Sequence, residues 1–159
     1  NSNHKNSMND VHNLMNQKKT YGYLSTINCS SKLKNYPHTS LVGLSIDNEG
    51  YPILCMSEIS IHTQNIKRNN NISLLIQETN LVDQKGKRVT FTGNIYQILD
   101  YDEHYEIRDK YLEDHPEAFW LKYFDFNMYR IDDIKDIYYI GGFGKATRIN
   151  VNRYLQNYK

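Results

Sequence analysis

The stretch from Met56 to Ile76 reads MSEISIHTQNIKRNNNISLLI, and its character changes repeatedly along its length. A strand end at Met56 gives way to a hydroxyl-rich turn and a short helix over Ile59 to Arg68. After a break at Asn69 to Asn71, an apolar strand runs from Ile72 to Gln77. A helix start leaves its first backbone N–H groups unpaired and carries a partial positive charge, so this turn has the make-up of a phosphate cradle. Ser57, Ser60 and Thr63 add hydroxyls, and His62, Lys67 and Arg68 add positive or titratable groups. The competing reading is that Ser57 caps an ordinary helix whose Ile59 and Ile66 face the core. On spacing alone the second reading is the stronger, because capping serines are common.

Working outward, YGYLSTINC (Tyr21 to Cys29) and TSLVGLSI (Thr39 to Ile46) mix aromatic and β-branched residues as strands do. The turn residues DNEG, Asp47 to Gly50, join the second of these to the apolar run Ile53 to Met56 in a hairpin. Downstream, RVTFTGNIYQIL (Arg88 to Leu99) alternates as a half-buried strand, with Gly93 marking a bulge or bend. Asp100 and Glu103 have capping-box spacing ahead of a helix whose Ile107, Tyr111 and Leu112 form a stripe ending near Pro116. PEAFWLKYF makes a second helical piece. The chain then returns to a strand from Met128 to Ile140, crosses GGFGKA and ends in VNRYLQNYK, which has helical character. Strands dominate and helices are few, which points to an antiparallel barrel whose closure removes exposed edges. Tyr23, Phe91 and Trp120 are expected in the core.

A chain of 159 residues suits one domain with its own core. The expected organisation is a polar, Asn-rich mobile arm over residues 1–18 followed by a single barrel domain over 19–159. Net charge is +1, with basic and acidic residues interspersed, so there is no polyanion-binding stripe and nucleic acid is not expected as a partner. No apolar run approaches the ~20 residues that span a bilayer, so no membrane association is expected. Cys29 and Cys55 lack metal-ligand or redox spacing and read as buried thiols, and none of the six histidines falls in a zinc pattern, so no metal is expected. The chain opens at Asn1 and not at methionine. The expectation is a soluble, intracellular protein, with localisation left open because any upstream targeting segment would fall outside the sequence.

Several segments fit one family in order and spacing: GYLSTIN, YPHTSLVGLSID, SEISIHTQNI, KRVTFTG, KYLEDHPEA and YYIGGFGKA. Over most of Tyr21 to Ile149 the chain resembles the pyridoxamine 5′-phosphate oxidase-like FMN-binding split barrels, closest to the HugZ-type haem-utilisation branch. The resemblance implies a mainly β split barrel, with a short helix between strands and a helical pair before the last strand. It also implies a homodimer with FMN in a cleft at the interface. On that resemblance Ser57, His62, Thr63 and Asn65 become candidate phosphate ligands, Arg88 a polar flavin contact able to grip phosphate as a fork, and Ser40 a residue approaching the ring. Where the family's oxidases carry basic pairs, this chain has His38, Thr39, His62 and Thr63.

The function implied is therefore an FMN-dependent oxidoreductase whose flavin carries out electron or hydride transfer on an unidentified small-molecule substrate, with no catalytic side chain specified. Two alternatives stand beside it: a flavin-free binding or regulatory module, and a haem-binding or haem-degrading protein, for which no histidine reads as a convincing axial ligand. GGFGK does not make a P-loop, since Tyr139 and Ala146 occupy positions that need Gly and Ser or Thr. Gly141, Gly142 and Gly144 instead read as a tight crossing of the chain, and Lys145 as a solvated side chain.

Overall fold

The structure is a computed structural model that describes residues 2–123, 125–142 and 145–158. Helix α1 (Ser2–Met15) leads into strands β1 (Tyr21–Ile27), β2 (Pro37–Ile46) and β3 (Pro52–Ser57). Helix α2 (Ile61–Arg68), β4 (Asn71–Gln77), β5 (Arg88–Gln97) and helix α3 (Tyr101–Asp114) follow. A 3₁₀ segment at Pro116–Lys122 precedes the long strand β6 (Phe126–Ile140), a short β7 (Ala146–Arg148) and helix α4 (Val151–Gln156). The helical pair thus lies before the last long strand, as expected, with three further strand residues after it.

All strand pairings are antiparallel and run in the order β3-β2-β1-β4-β5-β6-β7, with an additional β3–β6 pairing that closes the first six strands into a barrel. Strand β6 makes this possible by its length. Its first residues pair with β3, as in Leu54 opposite Tyr129, while its far end pairs with β7, as in Tyr139 opposite Thr147. Along its other side β6 follows β5 with register shifts at Thr92/Gly93 and Asn94/Ile95. These are the bulges that Gly93 announced. A side chain there would place its Cβ 2.1 Å from the Asp133 carbonyl oxygen, so only glycine lets β5 and β6 approach this closely. The β2–β3 hairpin also forms as read: Asp47 Oδ1 accepts from the Glu49 and Tyr51 N–H groups, and Gly50 takes φ +98°.

The barrel interior is filled by Leu24, Leu44, Leu54, Leu74, Ile76, Phe91 and Ile131, all essentially inaccessible to solvent. The opening residues, expected as an arm without structure, form α1 and close on this core. Val11, Leu14 and Met15 are buried in it, and His12 hydrogen-bonds the Tyr154 carbonyl of α4. The polar composition masked a sparse apolar stripe, Met8, Val11, Leu14 and Met15, at helical spacing. Three further expectations are corrected. Ile59 is 86% exposed, since α2 starts later and turns Thr63, Asn65 and Ile66 inward. Tyr23 and Trp120 lie on outer surfaces, whereas Phe91 is core. Cys29 is exposed because β1 ends before it, and both cysteines are free thiols. Gly142 has φ +149° in a turn closed by the Gly141 N–H to the Lys145 carbonyl, while Gly144 lies outside the described residues.

A second, smaller apolar cluster lies outside the barrel, where Ile107, Tyr111, Ala118 and Leu121 cover Ile53 and Met128. Asp100 caps α3 by accepting from the Glu103 N–H, and Pro116 follows its end. No helix among the described residues is long and apolar enough to cross a membrane.

Gly93→Ala is expected to lower unfolding stability by about 1–3 kcal/mol, because β5 and β6 must separate to admit the methyl group. Urea denaturation of the purified variant measures this directly.

Candidate functional site

Between the outer surface of β2 and β3 on one side and α2, α3 and the 3₁₀ segment on the other lies a cleft of about 260 Å³. Its walls have distinct chemistry. Ser57, Ser60 and His62, from the end of β3 and the start of α2, form a polar wall. Trp120 and Phe126, in edge contact at 4.8 Å, form an aromatic wall. Leu41, Cys55, Tyr21, Tyr111, His115, Glu117 and Leu121 are among the other lining residues.

The segment around Gly43 explains how these groups meet. A Cβ on Gly43 would lie 2.2 Å from the Tyr111 hydroxyl oxygen and 3.6 Å from His115 Cε1. The bare backbone lets α3 settle onto β2. Pro116 stops α3, His115 leaves helical geometry at φ −129° and ψ 68°, and its ring returns to the barrel. His115 is 1% exposed and stacks on Tyr111 at 4.6 Å. Its Nε2 lies 2.7 Å from the Leu44 carbonyl oxygen and its Nδ1 lies 3.3 Å from Glu117 Oε1, which also accepts from the Tyr21 hydroxyl at 3.0 Å.

Electrostatics follow from these partners. The Glu117 carboxyl is held below its ordinary value first by its own backbone N–H, with Tyr21 and His115 adding to this. The Tyr21 phenol is pushed up by its bond to that carboxylate. Burial pushes the Tyr111 phenol up and raises the Cys55 thiol to about 12, which makes Cys55 an inert thiol in the wall and not a nucleophile. Burial, with the charge of His38, lowers His62 below its ordinary value of 6.5. At neutral pH His62 therefore offers a free imidazole nitrogen.

Of the six residues that the resemblance nominated, the cleft brings together Ser57 and His62. Ser57 Oγ accepts weakly from the Ile59 N–H at 3.4 Å. Ser40 is half-buried on β2 opposite Leu24 and does not line the cleft. Thr63 faces inward with no exposure, and its buried hydroxyl has no partner among the described residues. Asn65 is 2% exposed and fully occupied: it donates to Thr26 Oγ1 at 3.0 Å and Asn28 Oδ1 at 3.4 Å and accepts from the Cys29 N–H at 3.3 Å. It ties α2 to the end of β1. Arg88 spends its guanidinium on the Gln84 and Gly86 carbonyls, at 2.6 and 3.2 Å. Within one chain the cleft thus gathers two of the six nominated residues, Ser57 and His62, and not the other four. His115, Glu117 and Tyr111 escaped sequence reasoning, although KYLEDHPEA contains all but the spatial partner. The available signal was the His-Pro step that ends α3.

A family model described as CREG, beta-barrel, matches residues 5–156. The chain is 36% identical over 125 residues to a protein of Arabidopsis thaliana called non-canonical heme oxygenase HOZ, chloroplastic. That match covers 79% of this chain and 37% of the relative, so the chain spans little more than a third of the curated protein it matches. Among solved structures, a heme binding protein from Mycobacterium smegmatis superposes with a TM-score of 0.78 at 21% identity, covering 94% of this chain and 60% of that one. A Clostridium acetobutylicum protein of the pyridoxinephosphate oxidase family superposes with a TM-score of 0.70 at 15% identity, covering 94% and 98%. The split-barrel resemblance read from the sequence therefore holds for the fold.

Two outcomes separate structural from ligand-facing residues. Asn65→Ala is expected to cost about 1–3 kcal/mol in denaturant unfolding, since it leaves buried polar groups unpaired. The His62 ring is expected to titrate below 6.5 when followed by NMR. The unfolded chain takes up that proton more readily than the folded one, so the His62 contribution to stability is present above pH 6.5 and lost as pH falls through the lower folded value. His62→Gln removes that part of the pH dependence.

Proposed function

The chain belongs to the CREG β-barrel family, and we propose that its cleft binds haem. The observation that carries this reading is His62, a half-buried imidazole kept neutral by its surroundings, on the wall of a cleft faced by Trp120 and Phe126. A flat, largely apolar macrocycle suits aromatic walls, and a neutral imidazole is the form that ligates iron. The names of the Arabidopsis and Mycobacterium relatives support the same ligand. Bound haem would supply the iron and the conjugated ring. The chain's part is to offer the His62 nitrogen, to pack Trp120 and Phe126 against the ring, and to exclude water with Leu41 and Leu121.

The cleft of one chain is smaller than the ~300–1000 Å³ that usually encloses a small ligand. A homodimer resolves the shortfall. One row of outward residues crosses the barrel through Leu41, Tyr23, Leu75, Thr90 and Tyr138, paired strand to strand. Leu41 is 65% exposed and Tyr23 39% exposed, and Leu41 also lines the cleft. A second copy seated on this face would bury the row and wall the open side of the cleft.

FMN remains the second reading, favoured by Ser57, Ser60 and His62 on the polar wall. It requires Arg88 to leave its loop carbonyls or a partner chain to supply the missing charge.

Titrating the protein with haem is expected to give a saturable Soret change at one haem per chain. His62→Ala is expected to alter the band position and weaken binding by roughly tenfold or more. An unchanged spectrum overturns the haem reading, and stoichiometric binding of FMN in its place supports the second. Leu41→Arg is expected to halve the molecular mass measured by light scattering.

A further inference from the structure

A second concavity, which shares no lining residue with the cleft, lies where the end of α2 meets the end of β5, and at about 510 Å³ it is the larger of the two. That volume falls within the ~300–1000 Å³ that usually encloses a small ligand. Its position follows from the path of the chain. Helix α2 stops at Arg68, Asn69 takes extended geometry at φ −147°, and the Asn70 carbonyl accepts from the Ile95 N–H at 3.1 Å. Ile66 and Ile95, both buried, make an apolar floor, and Tyr96, 48% exposed, adds an aromatic ring to the lining.

The polar lining is biased toward donors. Asn69 Oδ1 accepts from the Asn71 N–H at 3.0 Å. A backbone N–H only donates, so this contact fixes the amide and leaves Asn69 Nδ2 without a partner among the described residues. Asn70 Oδ1 likewise accepts from Asn94 Nδ2 at 3.0 Å, and the Gln97 side chain has no partner among the described residues. The charged lining residues are both cations, Lys67 and Arg68, and no carboxylate lines the concavity. Lys67 is paired with Glu58, which also accepts from Asn127 and, at 2.8 Å, from the Tyr129 hydroxyl, so that carboxylate is already occupied. Arg68 is exposed and makes neither a hydrogen bond nor an ion pair among the described residues. A group that only accepts and carries negative charge is what these donors lack.

Lys67 and Arg68 also stand in the last turn of α2, where cations offset the partial negative charge of a helix end. That role accounts for their charge. It does not account for the turned amides of Asn69 and Asn70, the free Gln97 or the apolar floor.

We propose that this concavity is a second binding site, for a small molecule that joins a carboxylate or phosphate head to a flat apolar body. The head meets the Arg68 fork and the Asn69 and Asn70 amides, and the body covers Ile66 and Ile95 beside the Tyr96 ring. The sequence groups Lys67 and Arg68 with the hydroxyls that open α2; the fold sets them at its far end, at a site separate from Ser57 and His62.

Nitrogen-15 NMR of the ligand-free protein tests this with benzoate, phenyl phosphate and the neutral benzyl alcohol as probes. The side-chain amide signals of Asn69, Asn70 and Gln97 are expected to shift saturably with at least one of the two anions, and the tighter anion identifies the head. Benzyl alcohol should leave them unmoved. Acetate or inorganic phosphate, which lack the body, should bind several-fold more weakly than the matching aromatic anion. Arg68→Gln, at an exposed position, should keep the circular dichroism of the wild type and weaken binding roughly tenfold or more, because a charge-assisted pair is lost. The absence of a saturable shift with either anion overturns the proposal. So do equal shifts with benzyl alcohol, equal affinity for the head group alone, or wild-type affinity in Arg68→Gln; a loss of unfolding stability without a loss of affinity in that variant assigns Arg68 to the helix end only. Haem is absent throughout, so the result is independent of the haem reading.

Discussion

Closure of the barrel along β3 and β6 is the interaction on which the rest of the molecule depends. A sheet ending at β3 would leave a row of unpaired backbone groups at its edge. The long β6 covers that edge with its first residues while it stays paired to β5 on its other side. It bends to do both, and the bend falls where Gly93 admits the Asp133 carbonyl. Once closed, the barrel has an interior that Phe91 and its aliphatic neighbours fill and an exterior on which the cleft is built.

The exterior differs from side to side. Around Ile53 and Met128, α3 and the 3₁₀ segment bury a second apolar cluster and leave a cleft at its margin. Across β2, β1, β4 and β5 runs the outward row, in which Leu41 and Tyr23 face solvent. The two regions meet at Leu41. An assembly through the bare face and a ligand in the cleft are therefore physically coupled readings: whatever covers Leu41 also shapes the site.

Much of the fold was legible because alternation and turn chemistry are local. TSLVGLSI, DNEG and RVTFTG each show their structure within a few residues, and Gly93 was recognisable as a bulge without knowledge of its neighbour. Helix α1 was not legible, since an Asn-rich segment with four apolar positions becomes a helix only when a core is present to receive Val11 and Met15. The site was legible in part. Ser57 and His62 follow from the turn that precedes α2, but the inward rotation of Thr63 and Asn65 is decided by packing against β1. Arg88 looked free for a ligand because its partners are backbone carbonyls, which a sequence does not display. His115 and Glu117 gain their meaning from the Leu44 carbonyl and Tyr21, both remote in the chain.

The central claim is that one cleft, completed by a second copy of the chain, holds the ligand. Sedimentation velocity of the protein mixed with haem, followed at the haem absorption band, tests it most directly. The account predicts haem absorbance travelling with a particle of two chains, each of 18.8 kDa. Haem that sediments unbound, or with a single chain, would contradict it.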